Sequence, residues 1–152
     1  MIDTRKLRIT KRVEFPEGSK PWMLRASPDG RVIYVQTATG SNVVLNARTL
    51  EIQHTQQVDN YPVTTAWSPE GRYNFVSMAG ESYLTVLDPL IGKLIKRIEV
   101  GRNSANISFR PDGKYGYVAV TGENAVAVVE MGSLEVETRL QSGKRPIGLI
   151  VF

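Results

Sequence analysis

The nine residues SPDGRVIYV (27–35) recur twice along the chain, as SPEGRYNFV (68–76) and RPDGKYGYV (110–118). Each copy opens with a proline, an acidic residue and a glycine in the second to fourth places of a four-residue turn. That composition is typical of a type I turn, whose glycine accepts a positive φ and lets a hairpin close. The residues after the turn are aromatic or β-branched, as in strands. The stretch therefore predicts a β-hairpin at three places.

The three hairpins recur at a nearly constant period. Pro21 and Pro62 lie six residues before their turns, Ser104 lies six before the third turn, and Pro146 lies six before Phe152. These markers are 41, 42 and 42 residues apart. A recurrence of about 40 residues indicates a repeat architecture.

Each repeat predicts four short strands. A third strand follows the hairpin as NVVLN, YLTVLD or AVAVVE, and a fourth alternates with period two, most clearly in KLIKRIEV. No window has a useful helical period, so the chain is all-β. Four-stranded antiparallel sheets that repeat every 40 residues are the blades of a β-propeller. A β-sandwich has no reason to recur at a constant period, and a parallel β-helix repeats on a shorter rung.

The repeats predict one domain over residues 1–152. Three whole blades fall at about 21–58, 62–100 and 104–142, and incomplete repeats leave a lone fourth strand at 5–15 and a lone first strand at 146–152. A propeller ring needs four to eight blades, so this is a partial propeller with an apolar sheet face at each end. Either the residues belong to a longer propeller, which we slightly favour, or copies of the chain close one another; self-association is expected.

The repeat resembles the YVTN-repeat β-propeller family. The signature tetrapeptide appears as YVQT (34–37) and FVSM (75–78), and the third copy, YVAV (117–120), departs at its last two places. The resemblance implies relatives among surface-layer proteins, binding proteins and haem- or quinone-linked oxidoreductase domains, and it suggests a periplasmic or extracellular location. A fold alone does not choose among these functions.

The composition excludes several classes of site. The chain has 152 residues, of which 41% are hydrophobic and 22% charged, as in a folded soluble protein. There is no cysteine and no apolar run that could span a bilayer, and MIDTRKLRIT (1–10) lacks the continuous apolar segment that a secretory signal needs. The net charge of +4 arises mainly from the first 20 residues. We expect no nucleic acid as a partner, because the basic residues do not form a broad stripe.

The repeat register predicts a binding site at one rim of the propeller channel. The two residues before each repeat should gather there, and three of these four pairs carry a cation. We expect Lys20, Arg102, Lys144 and Arg145 to draw in an anionic small molecule or a protein segment, with Asn60, Tyr61 and Asn103 orienting it. Trp22 either lines this pocket or packs on a neighbouring blade. The alternative is that these cations only occupy exposed turns.

No motif indicates catalysis, a cofactor or a metal. Glu81 and Glu123 fall at related places but read as ordinary turn residues, and His54 is the only histidine. The sequence therefore favours a non-enzymatic binding module. The alternatives are part of an oxidoreductase (haem- or quinone-linked) or lactonase-type propeller enzyme, and a structural surface-layer repeat.

Overall fold

The computed structural model describes residues 1–58 and 61–152, and these residues form strands, turns and extended segments without a helix. The strands are β1 (Ile2–Asp3), β2 (Arg8–Ile9), β3 (Pro21–Ala26), β4 (Val32–Thr37), β5 (Ser41–Asn46), β6 (Ile52–Gln57), β7 (Pro62–Trp67), β8 (Asn74–Met78), β9 (Tyr83–Leu87), β10 (Leu94–Glu99), β11 (Ser104–Phe109), β12 (Tyr115–Val120), β13 (Ala125–Glu130) and β14 (Glu135–Gln141). Among these residues no helix has the length and apolarity that crossing a bilayer requires.

Strands β3–β6, β7–β10 and β11–β14 form three antiparallel sheets, in which each strand pairs with the next along the chain. We call these sheets blades 1, 2 and 3. The predicted all-β, four-stranded architecture of a partial β-propeller is confirmed. The first strands of successive blades contact one another, so the blades stack face to face.

The repeated turn closes each blade's first hairpin as predicted. In blade 1 the N–H of Ser27 donates to the carbonyl of Val32 at 2.9 Å, and the N–H of Gly30 donates back to Ser27 at 2.9 Å. Gly30, Gly71 and Gly113 have φ of 68°, 74° and 71°. A side chain at that φ is strained, which explains why glycine occupies the fourth place in all three copies.

The two interfaces between blades differ in chemistry. Blades 2 and 3 enclose an apolar cluster that includes Phe75, Leu84, Ile98 and Val118. Blades 1 and 2 share a smaller apolar cluster of Val58, Val76, Met78 and Leu87 with Tyr83 beside it, together with buried amide side chains of blade 1. The second interface is therefore the more polar of the two.

The predicted strand over 5–15 forms only at Arg8–Ile9, which pairs with Ile2–Asp3. Residues 5–7 belong to a turn, and residues 10–15 have no ladder pairing. This turn nevertheless matches the turns between third and fourth strands elsewhere. The Asp3 carboxylate accepts the N–H groups of Arg5 and Lys6, as Asp88 accepts those of Leu90 and Ile91.

Residues 146–152, predicted as a lone first strand, likewise have no ladder pairing among the described residues. They lie against blade 3 through two hydrogen bonds. The Thr121 hydroxyl donates to the carbonyl of Pro146 at 2.6 Å, and the N–H of Asn106 donates to the carbonyl of Ile147 at 3.3 Å.

Candidate functional site: one rim of the blade stack

Four of the predicted site residues share an unusual backbone conformation. Lys20, Tyr61, Asn103 and Arg145 have φ of 48°, 54°, 57° and 51°. Each directly precedes the first residue of a repeat, so the left-handed conformation marks the same turn four times. Residues other than glycine adopt this region uncommonly.

Three of these residues tie two loops of their blade together. The carbonyls of Lys20, Tyr61 and Asn103 accept hydrogen bonds from the N–H groups of Ala38, Ala79 and Thr121 at 3.1, 3.0 and 3.1 Å. The acceptors precede the first strands, and the donors follow the second strands. Because strands alternate in direction, both loops lie at one end of each sheet, which we call the rim. The SPDG-type turns and the turns between third and fourth strands lie at the opposite end.

The cations of the rim are exposed and form no ion pair with the acidic residues that the structure describes. Lys20, Arg102, Lys144 and Arg145 are exposed, and among the described residues none of them forms an ion pair. Lys96, by contrast, pairs with Glu135 at 3.3 Å on the outer strands. Unpaired cations on neighbouring loops create a positive potential that attracts anions.

The polar groups of Asn103 form hydrogen bonds within the fold, which leaves them less available to a ligand. Its side-chain Oδ1 accepts the N–H of Gly80 at 2.8 Å, and its own N–H donates to the carbonyl of Glu81 at 3.0 Å. It thereby joins the loops of blades 2 and 3. The side chain of Tyr61 is 69% exposed, whereas Asn60 lies outside the described residues.

Trp22 packs across the interface between blades 1 and 2. Its Nε1 donates to the carbonyl of Val63 in blade 2 at 3.1 Å, while its side chain is 64% exposed. It also lines an apolar cleft on the face of blade 1 that points away from blade 2. Of the two roles considered for Trp22, this geometry matches packing against a neighbouring blade.

Glu123 holds the rim between blades 2 and 3. Its carboxylate accepts the N–H of Arg102 at 3.0 Å and pairs with the Arg139 guanidinium at 2.9 Å. Arg139 also donates to the carbonyl of Val100 at 2.7 Å. Glu123 therefore positions the backbone of Arg102, and the structure gives no contact between it and Glu81.

Asn124 is a positioning residue that the sequence analysis missed. It has φ of 54°, and its Oδ1 accepts the N–H of Arg145 at 2.9 Å. Its carbonyl accepts the N–H of Ser142, also at 2.9 Å. The available signal was its place in TGEN (121–124), since asparagine tolerates left-handed φ and commonly bonds to nearby backbone.

His54 lies away from the rim. It lines a cavity of about 560 Å³ between blades 1 and 2 at the opposite end, and its Nε2 is 3.3 Å from Nε2 of Gln56. Within residues 1–58 and 61–152 no group of three or more histidine and acidic side chains could hold a metal ion.

Comparison with solved structures identifies the class of protein as a β-propeller. The chain is similar to hydrazine synthase of Kuenenia stuttgartiensis, at 28% identity and a TM-score of 0.79 over 91% of this chain and 41% of that one. It is similar to a 6-phosphogluconolactonase-like protein of Bacteroides fragilis, at 20% identity and a TM-score of 0.72 over 86% of this chain and 41% of that one. It is also similar to AztD of Citrobacter koseri, at 11% identity and a TM-score of 0.75 over 92% of this chain and 40% of that one.

The chain spans about two fifths of the length of each of these proteins. No known family model matches the sequence, and no curated protein matches it. The comparisons therefore support the propeller class, which is coarser than the YVTN-repeat family.

Proposed function

We propose that this protein is a non-enzymatic binding module, part of a YVTN-like β-propeller, whose basic rim binds an anionic ligand. The observation that carries the proposal is a set of exposed cations in the two places before a repeat, which form no ion pair among the described residues: Lys20, Arg102, Lys144 and Arg145. Stacked blades are rigid, so they hold loops from distant parts of the chain in a fixed arrangement. A ligand then needs to order few side chains on binding, which favours affinity.

The backbone at the rim supports a role for the side chains of Lys20 and Arg145. Both residues occupy the left-handed region, where glycine would be unstrained. Backbone outliers cluster at binding and active sites, and in this fold Leu50 and Leu134 adopt the same region in the turns at the opposite end. Asn103 at the equivalent position has a structural explanation, because its side chain binds Gly80.

The chemistry of the rim favours carboxylates or phosphates. Arginine presents a planar fork that binds two oxygens at once, and lysine acts as a point charge. The Glu123 carboxylate, which accepts the backbone N–H of Arg102, is held by Arg139 at 2.9 Å. An acidic protein segment carries several such carboxylates and is therefore a second kind of anionic ligand for the rim.

Inorganic phosphate and citrate are suitable probes for this proposal. We expect both to shift the amide NMR resonances of residues 20, 102, 144 and 145, and Arg102→Ala and Arg145→Ala to weaken binding at least several-fold each. Lys93→Ala is the matched control, since Lys93 is also exposed but lies in the turn between β9 and β10, at the opposite end. Equal affinity in all three variants would overturn the proposal, as would shifts clustered around Lys93.

The likeness to hydrazine synthase, at 28% identity over 91% of this chain, favours a second candidate. In that reading the chain is part of a propeller enzyme of the oxidoreductase or lactonase type. It predicts turnover of a redox substrate or of a lactone such as 6-phosphogluconolactone, lowered by Arg102→Ala. A surface-layer repeat predicts neither anion binding nor turnover, and strong open-ended self-association.

A further inference from the structure

A cavity lies between blades 1 and 2 at the end opposite the rim. It has a volume of about 560 Å³, and the apolar side chains around it include Val32, Val44, Trp67, Pro89 and Leu90. Small-molecule sites have volumes of this order and walls that are mostly apolar, with a few polar groups. Both blades that enclose the cavity are four-stranded sheets, so it belongs to an interface within the blade stack.

The equivalent place in the next interface is taken by an aromatic side chain. Between blades 2 and 3, the ring centroids of Tyr73 and Phe75 are 6.2 Å apart, and those of Phe75 and Phe109 are 5.2 Å apart. Tyr73 and Phe109 both pack against the apolar cluster of that interface, which also contains Met131. Three rings and a thioether therefore pack together at this end of blades 2 and 3.

Between blades 1 and 2 the third ring is absent. Tyr34 and Trp67 form the equivalent ring pair, with centroids 4.8 Å apart. The position of Tyr73, two residues after the glycine of the turn, is occupied here by Val32, and Pro89 takes the position of the methionine. Both replacements are smaller side chains, and both line the cavity. The cavity therefore includes the space that an aromatic ring takes one interface further along.

The arginine that covers this ring in blade 2 has a counterpart beside the cavity. The Cζ of Arg72 lies over the ring of Tyr73, 5.0 Å from its centroid. Blade 1 has Arg31 at the equivalent position, directly before Val32, and Arg31 lines the cavity. A guanidinium over the face of a ring is a favourable cation–π contact. Arg31 is therefore placed to cover an aromatic ring that enters the cavity.

The charged groups of the lining favour a cationic substituent on that ring. Besides His54, the titratable side chains that line the cavity are Asp29, Glu70 and Arg31, which is two carboxylates against one guanidinium. Asp29 pairs with Arg31 at 3.6 Å, whereas Glu70 forms no ion pair among the described residues. The excess negative charge attracts a ligand with one positive charge.

We propose that this cavity binds a small aromatic amine, whose ring takes the place that the Tyr73 ring holds in the next interface and whose ammonium group pairs with Glu70. Two blades that already pack together form the walls, so the ring enters a preformed space and few side chains need to be ordered. The site goes beyond the proposed anion binding. It lies at the opposite end of the blades and prefers the opposite charge, so the two proposals fail independently.

Tyramine and 4-hydroxyphenylacetate are matched probes, because both carry the phenol ring of tyrosine and they differ in the charge of the substituent. We expect tyramine to shift the amide NMR resonances of residues 28–32 and 67–71. The anionic probe should bind the cavity at least several-fold more weakly, because the carboxylates of Asp29 and Glu70 repel it. The absence of tyramine shifts at these residues, or equal affinity of the two probes for the cavity, overturns the proposal.

Two variants test the ring and the charge separately. Val32→Tyr supplies the absent ring from within the chain and should abolish tyramine binding, while the melting temperature stays at least that of the wild type, because blade 2 carries tyrosine at this position. Glu70→Gln should weaken tyramine binding at least several-fold. Asp112→Asn is its matched control, since Asp112 occupies the equivalent turn position of blade 3 and does not line the cavity. Undiminished binding to Val32→Tyr, or equal losses in Glu70→Gln and Asp112→Asn, overturns the proposal.

Discussion

Gln36 and Asn42 lie opposite one another on β4 and β5, fully buried, and among the described residues no side-chain amide atom of either has a hydrogen-bond partner. Both side chains belong to the face of blade 1 that packs on blade 2. At the equivalent places one blade further on, Ser77 and Leu84 pair, and Leu84 belongs to the apolar cluster. The polar pair therefore weakens one of two otherwise similar interfaces, since a buried unsatisfied amide costs free energy.

Replacing Asn42 by leucine should stabilise the protein. The change removes an unpaired amide and installs the residue found at the equivalent position of blade 2, so we expect the free energy of unfolding to rise by about 1 kcal/mol. Urea denaturation followed by fluorescence measures it. Asn74→Leu is the matched comparison, because Asn74 is equally buried but bonds to Thr65 at 2.7 Å. That variant should lose about 1–3 kcal/mol, and stabilisation by both changes would contradict the argument.

Tyr34 makes the stability sensitive to alkaline pH. Burial raises its pKa from 10.0 to about 12, and its hydroxyl donates to the carbonyl of Pro89 in blade 2. The raised pKa belongs to the folded state, so the unfolded chain loses the phenol proton first as the pH rises past 10. The stabilisation is fully present below pH 10 and is lost progressively between pH 10 and 12.

The variant Tyr34→Phe separates this effect from other alkaline titrations. We expect the wild type to lose about 1 kcal/mol more than the variant between pH 9 and 11. Equilibrium unfolding of both proteins at several pH values provides the measurement. Parallel pH curves for the two proteins would mean that Tyr34 is not the group responsible.

The fold was predictable because the repeat places the same turn chemistry at the same register. Proline and glycine in SPDG fix the hairpin locally, and the aligned strand ends, such as Asp88 and Glu130, fix the blade. The flanking segments were predicted as lone strands of incomplete repeats, and among their described residues only Arg8–Ile9 form a ladder, with Ile2–Asp3. Periodicity reports which side chains face the core but not whether a neighbouring strand exists. Segments 5–15 and 146–152 keep the register without the pairing.

The candidate site was predictable only in outline. The register brings Lys20 and Arg102 to one rim, because equivalent positions of a repeat occupy equivalent places. Whether a rim side chain hydrogen-bonds to a nearby loop or stays free for a ligand depends on how the loops come together in the fold. Asn103 binding Gly80 and Asn124 holding Arg145 are contacts of this kind. Composition alone does not predict the amides of blade 1 that lack a partner among the described residues. The repeat register does give a signal, because Asn42 occupies the position that Leu84 takes in blade 2.

Gly122 should not tolerate a side chain. A Cβ there would lie 2.6 Å from the carbonyl oxygen of Arg102, which also accepts the Gly122 N–H at 3.1 Å. Backbone would have to move, so Gly122→Ala should cost about 1–3 kcal/mol. Gly143 is a matched control at the same rim, because a Cβ there meets nothing within 4 Å. Thermal melts of both variants test this, and similar losses in the two would refute the steric explanation.

Arg102 and Arg139 should separate binding from stability. Arg139 donates to the carbonyl of Val100 at 2.7 Å and to Glu123 at 2.9 Å, so Arg139→Ala should lower the free energy of unfolding by about 1 kcal/mol, the pair being partly exposed. The Arg102 side chain forms no ion pair among the described residues, so Arg102→Ala should stay within about 0.5 kcal/mol of the wild type. Citrate binding should respond in the opposite order, with the larger loss in Arg102→Ala. Denaturation and citrate titration of both variants provide the two measurements. If Arg102→Ala destabilised the protein as much as Arg139→Ala does, its side chain would serve the fold, and the rim would lose its leading candidate for anion binding.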